Sequence, residues 1–127
     1  VKTFRDIVSS RAGKQKLVTI DPSNTIAEAV ELMKKFNIEN IPVMNGNGLE
    51  GSISESGLFN KMLSGLDIKH TKVADVIEPA YPVVDYETPV ERLSTLINKE
   101  NGAVLAKDEA GDFHIVTKYD VIQALRN

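Results

Sequence analysis

Cysteine and tryptophan are both missing from the 127 residues. Without thiols the chain can form neither disulfides nor a thiolate nucleophile, which fits a cytoplasmic protein. Histidine is nearly missing too. His70 and His114 lie far apart with no metal-ligand spacing around either, so structural or solvent-facing roles are expected and a metal site is not. The longest apolar runs are a few residues, far short of the ~20 that a membrane helix needs. No charged-then-apolar signal segment opens the chain. Val1 in place of Met is what a piece of a longer chain would show. A basic excess is also lacking: 15 Lys and Arg against 18 Asp and Glu leave a net charge of −3, whereas general nucleic-acid binders concentrate positive charge. "NGNG" at 45–48 is turn chemistry and lacks the Gly-Lys-Ser/Thr of a phosphate loop. Ser52, Ser54 and Ser56 have no His-based activation signature nearby. No hydride, acyl or phosphoryl transfer apparatus can be read, so a non-catalytic binding module without cofactor or metal is expected.

What the sequence does contain is itself, twice. "VTIDPSNTIAEAVELM" (18–33) aligns with "PVVDYETPVERLSTLI" (82–97) at an offset of 64. "GLEGSISESGL" (48–58) aligns with "GDFHIVTKYDV" (111–121) at an offset of 63, and "FRDIV" (4–8) resembles "VADVI" (73–77). Three segments recur in one order, with only two copies. That predicts a pseudo-twofold pair of small units, residues 1–67 and 68–127, and not a solenoid.

Both copies share a grammar. A short strand (17–20; 82–84) leads through a turn to a helix whose apolar residues recur near i, i+3, i+4, i+7: Ile26, Ala29, Val30 and Met33, or Val90, Leu93, Leu96 and Ile97. Thr88-Pro89-Val90-Glu91 predicts N-cap, N1 and N3, and Thr25 to Glu28 offers a similar box. Strands at 41–44 and 49–54, or 103–106 and 113–117, form hairpins. A closing helix follows, carrying Leu58, Phe59, Met62 and Leu63, or Val121, Ile122 and Leu125. The fold class is α/β (α+β), β-α-β-β-α twice. A small sheet under two helices cannot hide both its faces, so the repeats are expected to pack through their sheets.

At the second closing helix stands Thr117-Lys118-Tyr119-Asp120. One role is capping, with threonine at N-cap and a carboxylate at N3. Another is recognition: a carboxylate just inside a helix accepts two hydrogen bonds from a vicinal diol such as ribose, beside a hydroxyl and free helix amides. The first copy keeps Ser54 but has Gly57 in place of Asp120. Loss of an acid from one copy only suggests one functional pocket and one degenerate one. Arg11, Lys14 and Lys16 in "RAGKQK" form a cationic loop that is expected to be solvated, or to meet a phosphate or carboxylate.

The segments "VTIDPSNTIAEAVELMKKFNIENIPVM", "GSISESGLF" and "IVTKYDVI" together resemble a tandem pair of CBS domains, a Bateman module, across essentially the whole chain. "NIENIPVM", "KVADVI" and "FHIVTKYDVIQAL" are most similar to the C-terminal regulatory regions of cystathionine β-synthases, which are PLP-dependent enzymes. The resemblance implies a non-catalytic module that binds adenosyl ligands in clefts between its units and controls an attached catalytic domain. In the regulated enzymes the ligand is S-adenosylmethionine. It further implies that Thr117 and Asp120 hold a ribose, that Ile115 and Tyr119 give apolar contacts to adenine, that Ile38 and Glu39 line the same cleft, and that the Lys16 backbone borders the base. Two departures stand out. His114 replaces a usual glycine and could narrow the cleft, and "GAVLA" replaces an apolar-Pro-Val step.

Two rivals accompany this reading: an AMP- or ATP-sensing pair, and a ligand-free dimerisation module. A carboxylate at Glu39 repels phosphates and attracts an amino or sulfonium group, favouring S-adenosylmethionine, while the Arg11–Lys16 cluster pulls the other way. Self-association as a homodimer is expected.

Overall fold

The computed structural model describes residues 1–11 and 17–126. The chain forms two compact units, Val18–Ala80 (the central unit) and Val1–Leu17 with Tyr81–Asn127 (the terminal unit). A boundary at 67/68 marks the repeat in sequence; the units follow packing, and the N-terminal segment packs with the second copy.

The terminal unit begins with α1, Phe4–Ser10. A Thr3–Asp6 capping box starts it, each residue's side chain bonding the other's backbone amide. Phe4 and Ile7 are buried, and Phe4 N–H donates to the Thr88 carbonyl at 2.9 Å. In the central unit α2 spans Ile26–Phe36, then β1 (Asn40–Asn45), β2 (Gly48–Ser54) and α3 (Glu55–Leu63), with one 3-10 turn at Val73–Asp75. The terminal unit continues with β3 (Val83–Val84), α4 (Val90–Leu96), β4 (Ala103–Lys107), β5 (Phe113–Thr117) and α5 (Lys118–Arg126).

Both hairpins form in the expected places: β1 pairs antiparallel with β2 and β4 with β5. Gly46 takes φ +61 at the first turn, where its missing Cβ removes the steric penalty. The opening strands are shorter than the periodicity predicts. In the central unit only Ile20 bridges β1, parallel at Val43; in the terminal unit β3 lies parallel to β4 over two residues. On the far side of β2, Ser52 bridges Glu78 antiparallel, with backbone bonds of 2.9 Å in both directions. Residues 77–79 therefore form a strap along the β2 edge.

The α2 box is present: Thr25 N–H donates to Glu28 Oε1 at 2.8 Å, and Glu28 N–H to Thr25 Oγ1 at 3.2 Å. The α4 box is not. Pro89 takes the N-cap position, and the Thr88 hydroxyl donates to the Asp85 carbonyl at 2.6 Å, so the preceding turn has taken it from the helix. Ile26, Ala29, Met33, Ile41, Val43 and Ile53 build the central core; Phe4, Leu93, Val104, Ala106 and Val116 build the terminal one. The closing helices bury less than their sequence suggests. Leu58 and Val121 are buried, but Phe59, Met62, Leu63, Ile122 and Leu125 are exposed.

Candidate functional site

The candidate site centres on the junction of β5 and α5. Thr117 ends the strand and Asp120 is the third residue of the helix. Asp120 Oδ2 accepts from the Thr117 amide at 2.9 Å and from its hydroxyl at 3.2 Å. That is the capping geometry expected of an N3 carboxylate. A third donor arrives from α1: Arg11 Nη2 lies 3.1 Å from the same oxygen and also donates to the Ile115 carbonyl. The side chains of both Arg11 and Asp120 are about two-thirds shielded (32% and 29% exposed), so this ion pair is screened less than a surface one. Among the described residues, every hydrogen bond to Asp120 falls on Oδ2. Oδ1 has lone pairs left for a ligand.

Ile115 is half-buried one pleat before Thr117, while Tyr119 is 69% exposed. His114 does not crowd them. Successive strand side chains face opposite ways, so Ile115 and Thr117 share one face and His114 takes the other. There its Nε2 lies 2.8 Å from Asp108 Oδ2, and its ring sits 5.6 Å from that of Tyr86. The His114 bond, followed by the Asp112 amide, holds the Asp108 carboxyl below its ordinary value. The pleat thus turns His114 away from the face that carries Ile115 and Thr117.

In the central unit, Ile38 and Glu39 occupy the link from α2 to β1. Ile38 is half-buried, and its amide donates to the Met33 carbonyl at 3.0 Å. Glu39 is exposed; its carbonyl accepts from the Glu55 amide at 2.9 Å. Lys16 and Lys14 lie outside the described residues.

The central unit's own strand-helix junction shows how the missing acid is made good. Ser54 N–H donates to Glu78 Oε2 at 2.9 Å, and Ser54 Oγ donates to Oε1 at 2.8 Å. The same hydroxyl accepts from Gly57 N–H at 3.1 Å. A carboxylate therefore stands at both helix starts, supplied by the helix itself in one unit and by the 77–79 strap in the other. Gly57 leaves room for this: a Cβ there would lie 2.6 Å from Glu78 Oε2, so the carboxylate would have to shift. The expectation that the first junction simply lost its acid is corrected. It exchanged a local acid for a distant one, and Ser54 and both Glu78 oxygens are already engaged.

Residues 4–64 match the model of the CBS domain family. This stretch is a CBS domain. The whole chain has the fold of CBS-domain pairs, as its similarity to solved structures shows. One is a putative signal-transduction protein with CBS domains from Burkholderia ambifaria: 16% identity, 98% of this chain and 93% of that one covered, TM-score 0.88. A second is a CBS-domain containing protein from Agrobacterium tumefaciens: 17% identity, 97% and 92% covered, TM-score 0.83. A third is CBSX2 of Arabidopsis thaliana, solved in complex with AMP: 24% identity, 99% and 97% covered, TM-score 0.74. No curated protein matches in sequence. CBS-domain proteins are generally regulatory and not catalytic. No described helix is long and apolar enough to cross a membrane, and no group of three His, Cys, Asp or Glu among the described residues is placed to hold a metal.

Two residues of the candidate site escaped the sequence reading. Arg11 had a partial signal, because its cationic cluster was open to a carboxylate partner. Glu78 had none, since nothing local ties it to a serine 24 positions away.

Proposed function

We propose that this module senses one adenosyl ligand per chain, held at the β5–α5 junction, and transmits its presence to an attached catalytic domain. The observation that carries the reading is the unequal satisfaction of the two junctions: Asp120 keeps one carboxylate oxygen open among the described residues, while Glu78 has both engaged. A ribose diol needs that open oxygen. Thr117 and Asp120 hold the sugar, and Ile115 and Tyr119 offer apolar surface to the base. Ile38, Glu39 and Lys16 join the set on the family resemblance.

Two classes of adenosyl ligand are in view. Glu39 supports S-adenosylmethionine, and with it a cystathionine β-synthase-type catalytic domain in the parent chain. The Arg11 guanidinium on Asp120 supports AMP or ATP. AMP is also the ligand in the CBSX2 complex. Arg11 is a contact at the proposed site, whereas the Glu39 side chain is exposed, so the phosphorylated ligand is favoured. Calorimetric titration with S-adenosylmethionine, AMP and ATP tests the reading. One saturable site per chain is expected. Two equivalent sites would refute the inequality of the junctions, and no binding would leave a structural dimerisation module.

A further inference from the structure

We infer that Arg11 is the specificity-determining residue of this junction, a resident counter-ion that makes the site prefer adenosyl ligands bearing a 5′-phosphate. The inference rests on the proposed adenosyl site. In the free protein Arg11 Nη2 bridges Asp120 Oδ2, at 3.1 Å, and the Ile115 carbonyl. It thus occupies an acceptor that a bidentate diol would use, and a carbonyl on the strand that would border the base. A ribose gripping Asp120 through both oxygens competes with Arg11 for Oδ2. What happens to the displaced cation depends on the ligand.

With adenosine the guanidinium loses a charge-assisted bond and gains none. With S-adenosylmethionine it also meets a sulfonium cation brought toward the same junction, and like charges repel. With a 5′-phosphate it finds a new acceptor suited to its planar fork of donors. Arg11 therefore taxes neutral and cationic ligands and rewards anionic ones. It is well placed to move. It is the C-cap residue of α1, in extended backbone (φ −68, ψ 130), and its own amide donates only a 3.3 Å bond, to the Val8 carbonyl.

The test compares AMP, adenosine and S-adenosylmethionine by calorimetry on wild type, Arg11→Ala and Arg11→Lys, with melting temperatures confirming that each variant folds. Wild type should bind AMP about tenfold or more tighter than adenosine, the worth of one charge-assisted contact. Arg11→Ala should erase most of that ratio, weakening AMP while leaving adenosine unchanged or tighter. Arg11→Lys, which keeps the charge but not the fork, should fall between. Equal weakening of AMP and adenosine in Arg11→Ala would make Arg11 a structural prop and overturn the inference, as would an unchanged ratio. If wild type binds none of the three at millimolar concentration, the adenosyl reading itself fails and takes this inference with it.

Discussion

Replacing Gly57 by alanine should destabilise the protein, although alanine is the better helix former. Gly57 is the third residue of α3, where the usual exchange gains about 0.5–1 kcal/mol. Here the new Cβ would stand 2.6 Å from Glu78 Oε2 and 2.8 Å from Oε1 and Cδ. Restoring ordinary contact near 3.5 Å moves the carboxylate by roughly 1 Å. That breaks both bonds to Ser54, now 2.9 and 2.8 Å. Hydrogen bonds to a charged partner contribute about 1.5–3 kcal/mol each, and half-exposure puts these at the low end. The net expectation is a loss of about 2–2.5 kcal/mol, seen as a melting temperature lower by several degrees. The partner background sharpens the test. In Glu78→Ala no carboxylate remains to be struck, so Gly57→Ala should now stabilise by about 0.5–1 kcal/mol. Gly51→Ala is the control. Its Cβ would strike the Glu78 carbonyl and Ile77, so it should destabilise in both backgrounds. Thermal and urea denaturation of the double-mutant cycle read the sign directly. If Gly57→Ala stabilises wild type as much as it stabilises Glu78→Ala, Glu78 does not cap α3.

Asp120→Asn should weaken adenosyl binding about tenfold, because a neutral acceptor replaces a charge-assisted one. It should also lower the ligand-free melting temperature measurably, since the Arg11 pair is lost with the charge; unchanged affinity in calorimetry would reduce Asp120 to a cap. Acid should destabilise the fold through Asp108, held low first by His114, and Glu28, held low first by the Thr25 amide. A carboxyl whose folded value is lowered contributes stability that is complete above its ordinary value (3.8 for Asp, 4.5 for Glu) and lost as pH falls through the folded value. Melting temperature should thus hold down to about pH 5 and drop below about pH 4, with a shallower drop in Asp108→Asn; an identical slope in that variant would remove Asp108 from the account. Sedimentation at micromolar concentration should show a dimer, given Phe59 and Leu63 exposed on α3 (59% and 71%) and Leu125 on α5 (59%). Phe59→Lys with Leu63→Lys should weaken it, and a wild-type monomer throughout would refute self-association.

Sequence by itself determined whatever depends on neighbours along the chain. The repeat, both hairpins and the buried stripe of Ile26, Ala29 and Met33 follow from periods of 2 and 3.6 and from turn residues. The Thr25–Glu28 box and the Thr117–Asp120 pair are legible because partners three residues apart meet whenever a helix starts. Even this failed where two local uses competed, as when the Asp85 turn took the Thr88 hydroxyl. Only the tertiary structure decided which charge each helix start would meet. Arg11 reaches Asp120 across 109 positions, and Glu78 reaches Ser54 across 24. No periodicity encodes such contacts, because they depend on where the chain returns after several turns. Gly57 shows the consequence: in sequence it reads as a lost acid, and in the fold it is the space that another acid fills.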